Sequence, residues 1–383
     1  MRPQLLPIVL GLLLAGCTAQ VAISPTPSAS ASPGPSATAS PAAQASPTTI
    51  PLEPSSPPAY AILVDLLSSP SQYTVALVAG DGSVASTITA ARRSAIANAG
   101  GHAFELPYIS TTRTSLYFLD GDAAIWQLVP GKPKSLVMSL PTGPGVEATF
   151  AVSPDDSQLA YGLLDFNRQP VHVKLGLVSF GGDTPARVTF ESDSDYVWPV
   201  AWHAGLLVLA HAYGPYQEST TAAGPDQANP YGAVSYHLVN PVTTERGVLL
   251  GQCTVSGPLN AAGTACIQGG TLDWGGSDRN WGTRNWGSIS AAASVSPDGT
   301  RVAAAEPATP ERLGFWRPDG TEETWVNGAG ANNWAGWLDQ GHIVIASHTN
   351  ASFQPTLIPV AGGRAVPIAA RGFYAARLPT DIV

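Results

Sequence analysis

From Ala59 to the C-terminus, apolar residues gather in short runs rich in Val, Leu, Ile, Tyr and Trp, and each run stops at Gly, Pro, Asp or Asn. Short runs bounded by turn residues read as β-strands. No stretch of this region sustains the 3.6-residue periodicity of an amphipathic helix. Residues 59–383 are therefore expected to form an all-β domain.

The strands recur in a pattern. Phe150-Ala151-Val152-Ser153-Pro154-Asp155-Asp156-Ser157-Gln158-Leu159-Ala160-Tyr161 is echoed by Ala293-Ser294-Val295-Ser296-Pro297-Asp298-Gly299-Thr300-Arg301-Val302-Ala303-Ala304. Each copy is a strand, a Ser-Pro-Asp-Asp/Gly turn and a second strand. Proline at the second turn position presets φ, and Asp and Gly tolerate the tight bend. Weaker copies lie at Trp202–Gly205, Trp337–Gly341, Ser110–Arg113 and Asn260–Gly263, the last leading into Thr264–Ile267. A second family of turns alternates with the first, at Asp81-Gly82, Pro130-Gly131, Gly181-Gly182, Asn240-Pro241, Asp319-Gly320 and Gly362-Gly363. A seventh is expected near Gly275-Gly276, which gives a mean spacing of about 47 residues.

Hairpins alternating at this period describe four-stranded blades. The Ser-Pro-Asp-Gly hairpins resemble those of TolB-like and related WD-type β-propeller repeats. The resemblance implies a β-propeller over residues 59–383 and carries no activity with it. The count of turns predicts seven blades, with six or eight as the alternatives. It also predicts that one blade is made from both chain ends, with Phe373–Leu378 innermost and Tyr60–Leu66, Tyr73–Ala79 and Val84–Ala90 outside it. One or two β-sandwiches would be the other all-β solution, which this length without an internal linker disfavours.

The N-terminus has a different pattern. Met1-Arg2-Pro3 precedes an apolar run from Leu5 to Leu14, and Ala15-Gly16-Cys17 follows. A charged start, a short apolar core and small residues mark an export signal, too short to span a bilayer. Leu14-Ala15-Gly16-Cys17 resembles the lipobox of bacterial lipoproteins. That resemblance implies cleavage of residues 1–16, acylation of Cys17 and retention at the outer face of a membrane, as a cell-surface or periplasmic lipoprotein. Residues 17–58 follow as a Pro/Ser/Ala/Thr-rich linker with ten prolines and a single charge, Glu53. Such a segment buries too little apolar surface to order itself. Fully extended it would reach about 120 Å, enough to hold a domain clear of the membrane.

Composition narrows the classes. The formal net charge is −9, with only three lysines and no basic run, so nucleic acid is not an expected partner. With Cys17 lipidated, Cys253 and Cys266 are left as a pair. In an oxidising compartment a disulfide is expected, worth about 3 kcal/mol for so short a loop. Metal binding is the weaker alternative, since no Cys-x-x-Cys or His-x-x-x-His spacing supports it.

No Gly-x-Ser-x-Gly elbow, His-Glu-x-x-His, Walker A or Gly-x-Gly-x-x-Gly motif occurs, so no catalytic residue, cofactor or metal is assigned. His203 and His211 flank one predicted hairpin, which would let them approach each other in space. Asp193 and Asp195 form a small acidic cluster that lacks calcium-loop spacing and reads as a solvated loop. Two segments break the repeat. One is a polar insertion with Tyr213 and Tyr216 at one foot and Tyr231 at the other. The other runs from Asp273 to Gly287 and holds Trp274, then Arg279-Asn280-Trp281 and Arg284-Asn285-Trp286. Irregular loops on a rigid scaffold tend to carry function. Indole faces beside Arg and Asn suit sugar rings, although interblade packing of Trp281 and Trp286 competes with that reading.

The sequence thus points to a monomeric, membrane-anchored β-propeller lipoprotein that binds a protein, a glycan or another ligand. The alternatives are a carbohydrate-active or lactonase-type propeller enzyme and a subunit of an envelope complex.

Overall fold

The computed structural model describes residues 58–94, 106–180, 186–212, 235–252, 264–268, 271–275, 291–305, 312–317, 321–327, 333–348 and 353–380. Every regular element among them is a strand. The leader, Cys17 and the Pro-rich linker lie outside the described residues.

Strands β1 (Tyr60–Asp65), β2 (Gln72–Ala79) and β3 (Val84–Ala91) begin the first sheet. The second holds β4 (Ile109–Thr111), β5 (Leu116–Asp120), β6 (Ala124–Leu128) and β7 (Ser135–Ser139). The third holds β8 (Val146–Val152), β9 (Gln158–Asp165), β10 (His172–Ser179) and β11 (Arg187–Ser192). The fourth holds β12 (Tyr196–His203), β13 (Leu206–Ala212), β14 (Ser235–Val239) and β15 (Arg246–Gln252). The fifth gathers β16 (Thr264–Gln268), β17 (Thr271–Gly275), β18 (Ala291–Val295), β19 (Val302–Ala305), β20 (Arg312–Trp316) and β21 (Glu322–Asn327). The sixth holds β22 (Asn333–Trp337), β23 (His342–His348), β24 (Phe353–Pro359) and β25 (Val366–Pro367). The last strand, β26 (Phe373–Leu378), returns to the first sheet, whose order is β26-β1-β2-β3.

All pairings are antiparallel, and in most sheets the chain meanders strand by strand from one edge to the other. Strands of successive sheets adjoin: β26 lies against β4, β4 against β8, β8 against β12, β18 against β22 and β22 against β26. This is the architecture of a β-propeller. The expected closure is present, with Val64 opposite Phe373 and Tyr60 opposite Leu378 on one side of β1, and β2 on the other. Pairing the two ends in one sheet ties the first and last strands together and leaves β1 paired on both sides.

The seventh four-stranded blade is not found among the described residues. Where it was expected, β16 and β17 form a hairpin of their own, and β16 also pairs with β18. β17 ends at Gly275, and Gly276, the other half of the predicted turn, lies outside the described residues.

Within each sheet the two turn families fall at one end, here the turn end. The opposite end carries the connections between sheets, here the connector end. The two Ser-Pro-Asp turns are built alike. Ser153 Oγ donates to Asp155 Oδ1 (2.6 Å) and accepts from Gln158 N (2.8 Å). Ser296 Oγ donates to Asp298 Oδ1 (2.7 Å) and accepts from Arg301 N (2.9 Å). The fourth turn residue is left-handed in both, Asp156 at φ 58° and Gly299 at φ 69°.

Side chains from facing sheets fill the space between blades. Leu164, Val173 and Leu175 of the third sheet pack with Val197, Trp198 and Leu209 of the fourth. Burying each such side chain contributes about 1.5–3 kcal/mol. Hydrogen bonds then fix the blades in register. Trp202 Nε1 reaches Ala151 O, and Tyr73 OH donates to Leu119 O from the first sheet to the second.

Candidate functional site

The connector end of the third and fourth sheets collects titratable side chains from five strands and the segment between them. Ser192 ends β11, and its hydroxyl accepts from the N–H groups of Ser194 and Asp195. That local turn aims Asp193 and Asp195 to opposite sides. Asp193 Oδ1 is 2.8 Å from His172 Nδ1 at the start of β10. Beside them, Lys174 and Glu191 pair at 3.3 Å across β10 and β11.

Asp195 faces the fourth sheet. Register explains who meets it. His211 is opposite Val197 on β12 and opposite Ser235 on β14. A period of two places Asp195, His211, His237 and Arg246 on one face of this sheet. Arg246 Nη1 binds Asp195 Oδ2. Its Nε donates to His237 Nδ1 at 2.7 Å. His211 Nε2 is 3.3 Å from Asp195 Oδ1, and the two imidazole centroids are 5.2 Å apart.

Electrostatics fix the protonation states. Burial, reinforced by the Arg246 and His211 charges and opposed by Asp195, brings the His237 pKa down to about 4. Burial also lowers His211, with Asp195 opposing and Arg246 assisting. At neutral pH, His237 is therefore an uncharged ring whose Nδ1 lone pair is occupied by a guanidinium. Such a nitrogen is neither a free base nor a metal ligand. Among the described residues no three His, Cys, Asp or Glu groups are arranged to hold a metal ion. What the cluster offers is one Arg–Asp ion pair flanked by two neutral imidazoles, a surface suited to hydrogen-bonded recognition.

One sequence expectation is corrected here. His203 and His211 do not approach each other: His203 is opposite Leu206 at the turn end of the β12–β13 hairpin, whereas His211 lies near its connector end. The acidic segment is exposed at Asp193, beside His172, and is tied to the fourth sheet at Asp195.

The cluster lies where the chain leaves β13 for residues 213–234 and returns at β14. Tyr213, Tyr216 and Tyr231 belong to that insertion and lie outside the described residues, as do Cys253, Arg279, Asn280, Trp281, Arg284, Asn285 and Trp286. Cys266 and Trp274 are described as backbone only. Cys266 pairs with Asp273 and Ala292, and Trp274 with Ala265. The strand that carries Trp274, β17, lies against β15 of the fourth sheet. Asp195, His211, His237 and Arg246 were missed as a group. Their meeting depends on the register of β14 after a long insertion, which no local motif reports.

No protein-family model matches the chain, and no curated protein sequence does. Among solved structures, TolB from Acinetobacter baumannii is similar over 84% of this chain and 66% of its own, at 8% identity and a TM-score of 0.41. The chain thus spans just under two thirds of that protein. A chain of a mitotic checkpoint complex is similar over 71% of this chain and 84% of its own, at 10% identity and TM-score 0.42. A chain of a nidogen/laminin complex is similar over 82% and 93%, at 8% identity and TM-score 0.36. At these values the fold rests on the strand order and closure described above, and the likenesses carry no function.

Proposed function

We propose that this protein is a non-catalytic binding module, a propeller held at the outer face of a membrane by lipid on Cys17 and spaced from it by the Pro-rich linker. The binding surface is the connector end of the third and fourth sheets. The observation that carries this reading is the Asp195–Arg246–His237–His211 cluster at the base of the 213–234 insertion. Its charges are matched and its imidazoles neutral, so it favours recognition through oriented hydrogen bonds over proton transfer. Strands hold His211, His237 and Arg246 and the turn at Ser192 holds Asp195, which lowers the ordering cost of engaging a partner. The lipobox at Leu14–Cys17 supports the anchored, extracytoplasmic setting.

Two measurements on producing cells test the proposal. A photo-crosslinking amino acid at position 172 should yield a discrete adduct that Arg246→Gln diminishes. No adduct, or one indifferent to that substitution, would overturn the binding surface. Metabolic labelling with an alkyne fatty acid should mark the parent and not Cys17→Ser; equal labelling would overturn the anchor.

A further inference from the structure

The two Ser-Pro-Asp turns are each followed, in the next sheet, by a tryptophan turn, and the two pairs differ in one respect. Between the fifth and sixth sheets the turn after Trp337 is Leu338-Asp339-Gln340-Gly341. Between the third and fourth sheets the turn after Trp202 is His203-Ala204-Gly205, one residue shorter. The additional residue is where Gln340 sits.

Gln340 fills its notch by pairing with the Ser-Pro-Asp turn beside it. With its amide oriented to satisfy both partners, it donates to the two carboxylate oxygens of Asp298 at 3.0 and 3.1 Å. It accepts from the Asp298 backbone N–H at 2.9 Å. Arg301 Nη1 braces the same turn by donating to the Gln340 backbone carbonyl at 3.4 Å.

The equivalent notch at Asp155 is open. Asp155 Oδ1 accepts from Ser153 and Ser157 just as Asp298 Oδ1 accepts from Ser296 and Thr300. Among the described residues, nothing takes the part of Gln340 against Asp155 Oδ2 or the Asp155 N–H. A Cβ added at Gly205 would meet no atom within 4 Å. The space is a cleft of about 360 Å³ lined by Arg113, Asp155, Ser157, Gln158, Trp202 and Pro241, among others. Arg113 enters from the β4–β5 turn, its exposed guanidinium making no hydrogen bond or ion pair among the described residues.

We propose that this notch is a binding site for a polypeptide segment that supplies a carboxamide to Asp155, as Gln340 does to Asp298, and a carboxylate to Arg113. The occupant is a Gln or Asn side chain next to an acidic residue. A primary amide is the group that can donate to a carboxylate and accept from the adjoining backbone N–H at once. A carboxylate is the planar acceptor that a guanidinium binds in bidentate fashion. Proline and tryptophan walls with a few convergent polar groups are the usual composition of such a pocket. The site is at the turn end, and it stands or falls separately from the connector-end surface.

Saturation-transfer NMR on the full chain in detergent micelles, with the peptide acetyl-Gly-Gln-Glu-Gly-amide, tests it. The expected result is saturable binding with the strongest transfer to the Gln side chain. Affinity should fall at least tenfold when Leu replaces Gln in the peptide, and at least tenfold in Arg113→Ala. A Gln inserted between Ala204 and Gly205 should plug the notch and abolish binding. Absence of saturable binding overturns the proposal. So do equal affinities for the Gln and Leu peptides, or unchanged binding in Arg113→Ala. If the insertion variant fails to fold, the peptide comparison and Arg113→Ala decide alone.

Discussion

The indole N–H of Trp337 donates to the carbonyl of Ser294, 3.0 Å away across the boundary between the fifth and sixth sheets. Trp202 makes the same bond to Ala151, at 3.3 Å, between the third and fourth. Ala151 and Ser294 are equivalent positions, each two residues before the serine of a Ser-Pro-Asp turn. The repeat therefore encodes a contact between blades as well as a hairpin within one. Each tryptophan is almost fully buried. Replacing either with Phe keeps most of the apolar packing and removes the bond, at a cost of about 1–2 kcal/mol each. The two costs should add in urea unfolding, because the sites share no partners. A loss below about 0.3 kcal/mol in both would mean that the bonds do not hold the blades.

Closure has its own weak point at Gly336. An ideal Cβ there would lie 2.0 Å from the Tyr374 ring, and the Tyr374 hydroxyl donates to the next carbonyl, Trp337 O, at 2.8 Å. The ring of the closing strand thus lies flat on a residue that has no side chain. Gly336→Ala should destabilise the domain by about 1–3 kcal/mol through overpacking. In a Tyr374→Ala background the same substitution should cost less than half as much, since the clash is gone. Equal costs in the two backgrounds would show that Tyr374 is not what Gly336 accommodates.

Much of this fold was legible because its signals are local. Ser-Pro-Asp turns and Gly-containing second turns predict hairpins from a few residues, and the shortage of one hairpin pointed to β26 pairing with β1. The pairing of β16 was not legible, since it could pair with β17 or with a longer-range partner and turn spacing does not choose between them. The polar cluster was not legible either. Asp195 looks solvated in sequence because its partners, His211 and Arg246, come from other strands. The tryptophan pattern was seen as a turn signal, while its partners Ala151 and Ser294 are carbonyls that any residue could supply.

Left-handed positions make opposite predictions at two turns. Ala204 is exposed at φ 48°, where a Cβ is a liability. Ala204→Gly should raise stability by about 1 kcal/mol. Asp156 has a similar φ of 58°, but its carboxylate accepts from Tyr117 OH at 2.9 Å and Thr114 Oγ1 at 3.1 Å. Asp156→Gly should therefore lower stability despite relieving the backbone. Thermal denaturation of both variants checks the pair; a shift of the same sign in both would refute the contrast.

The Arg246–His237 bond makes stability depend on pH. Arg246 Nε donates to His237 Nδ1, which requires that nitrogen to be unprotonated. The folded pKa of about 4 is below the unfolded value of about 6.5. Between these values the unfolded chain binds the extra proton, so stability is full above about pH 6.5 and falls as pH drops towards 4. The shift alone corresponds to about 3 kcal/mol, which solvent screening of this half-buried site reduces to about 1 kcal/mol. In His237→Gln the amide oxygen can still accept from Arg246 and does not titrate. Urea midpoints of the parent should fall between pH 7 and pH 4.5, and those of His237→Gln should fall less. A residual slope is expected from His203 and His211, whose pKa values burial also lowers. Parallel slopes in the two proteins would show that His237 is not the group that acid acts on.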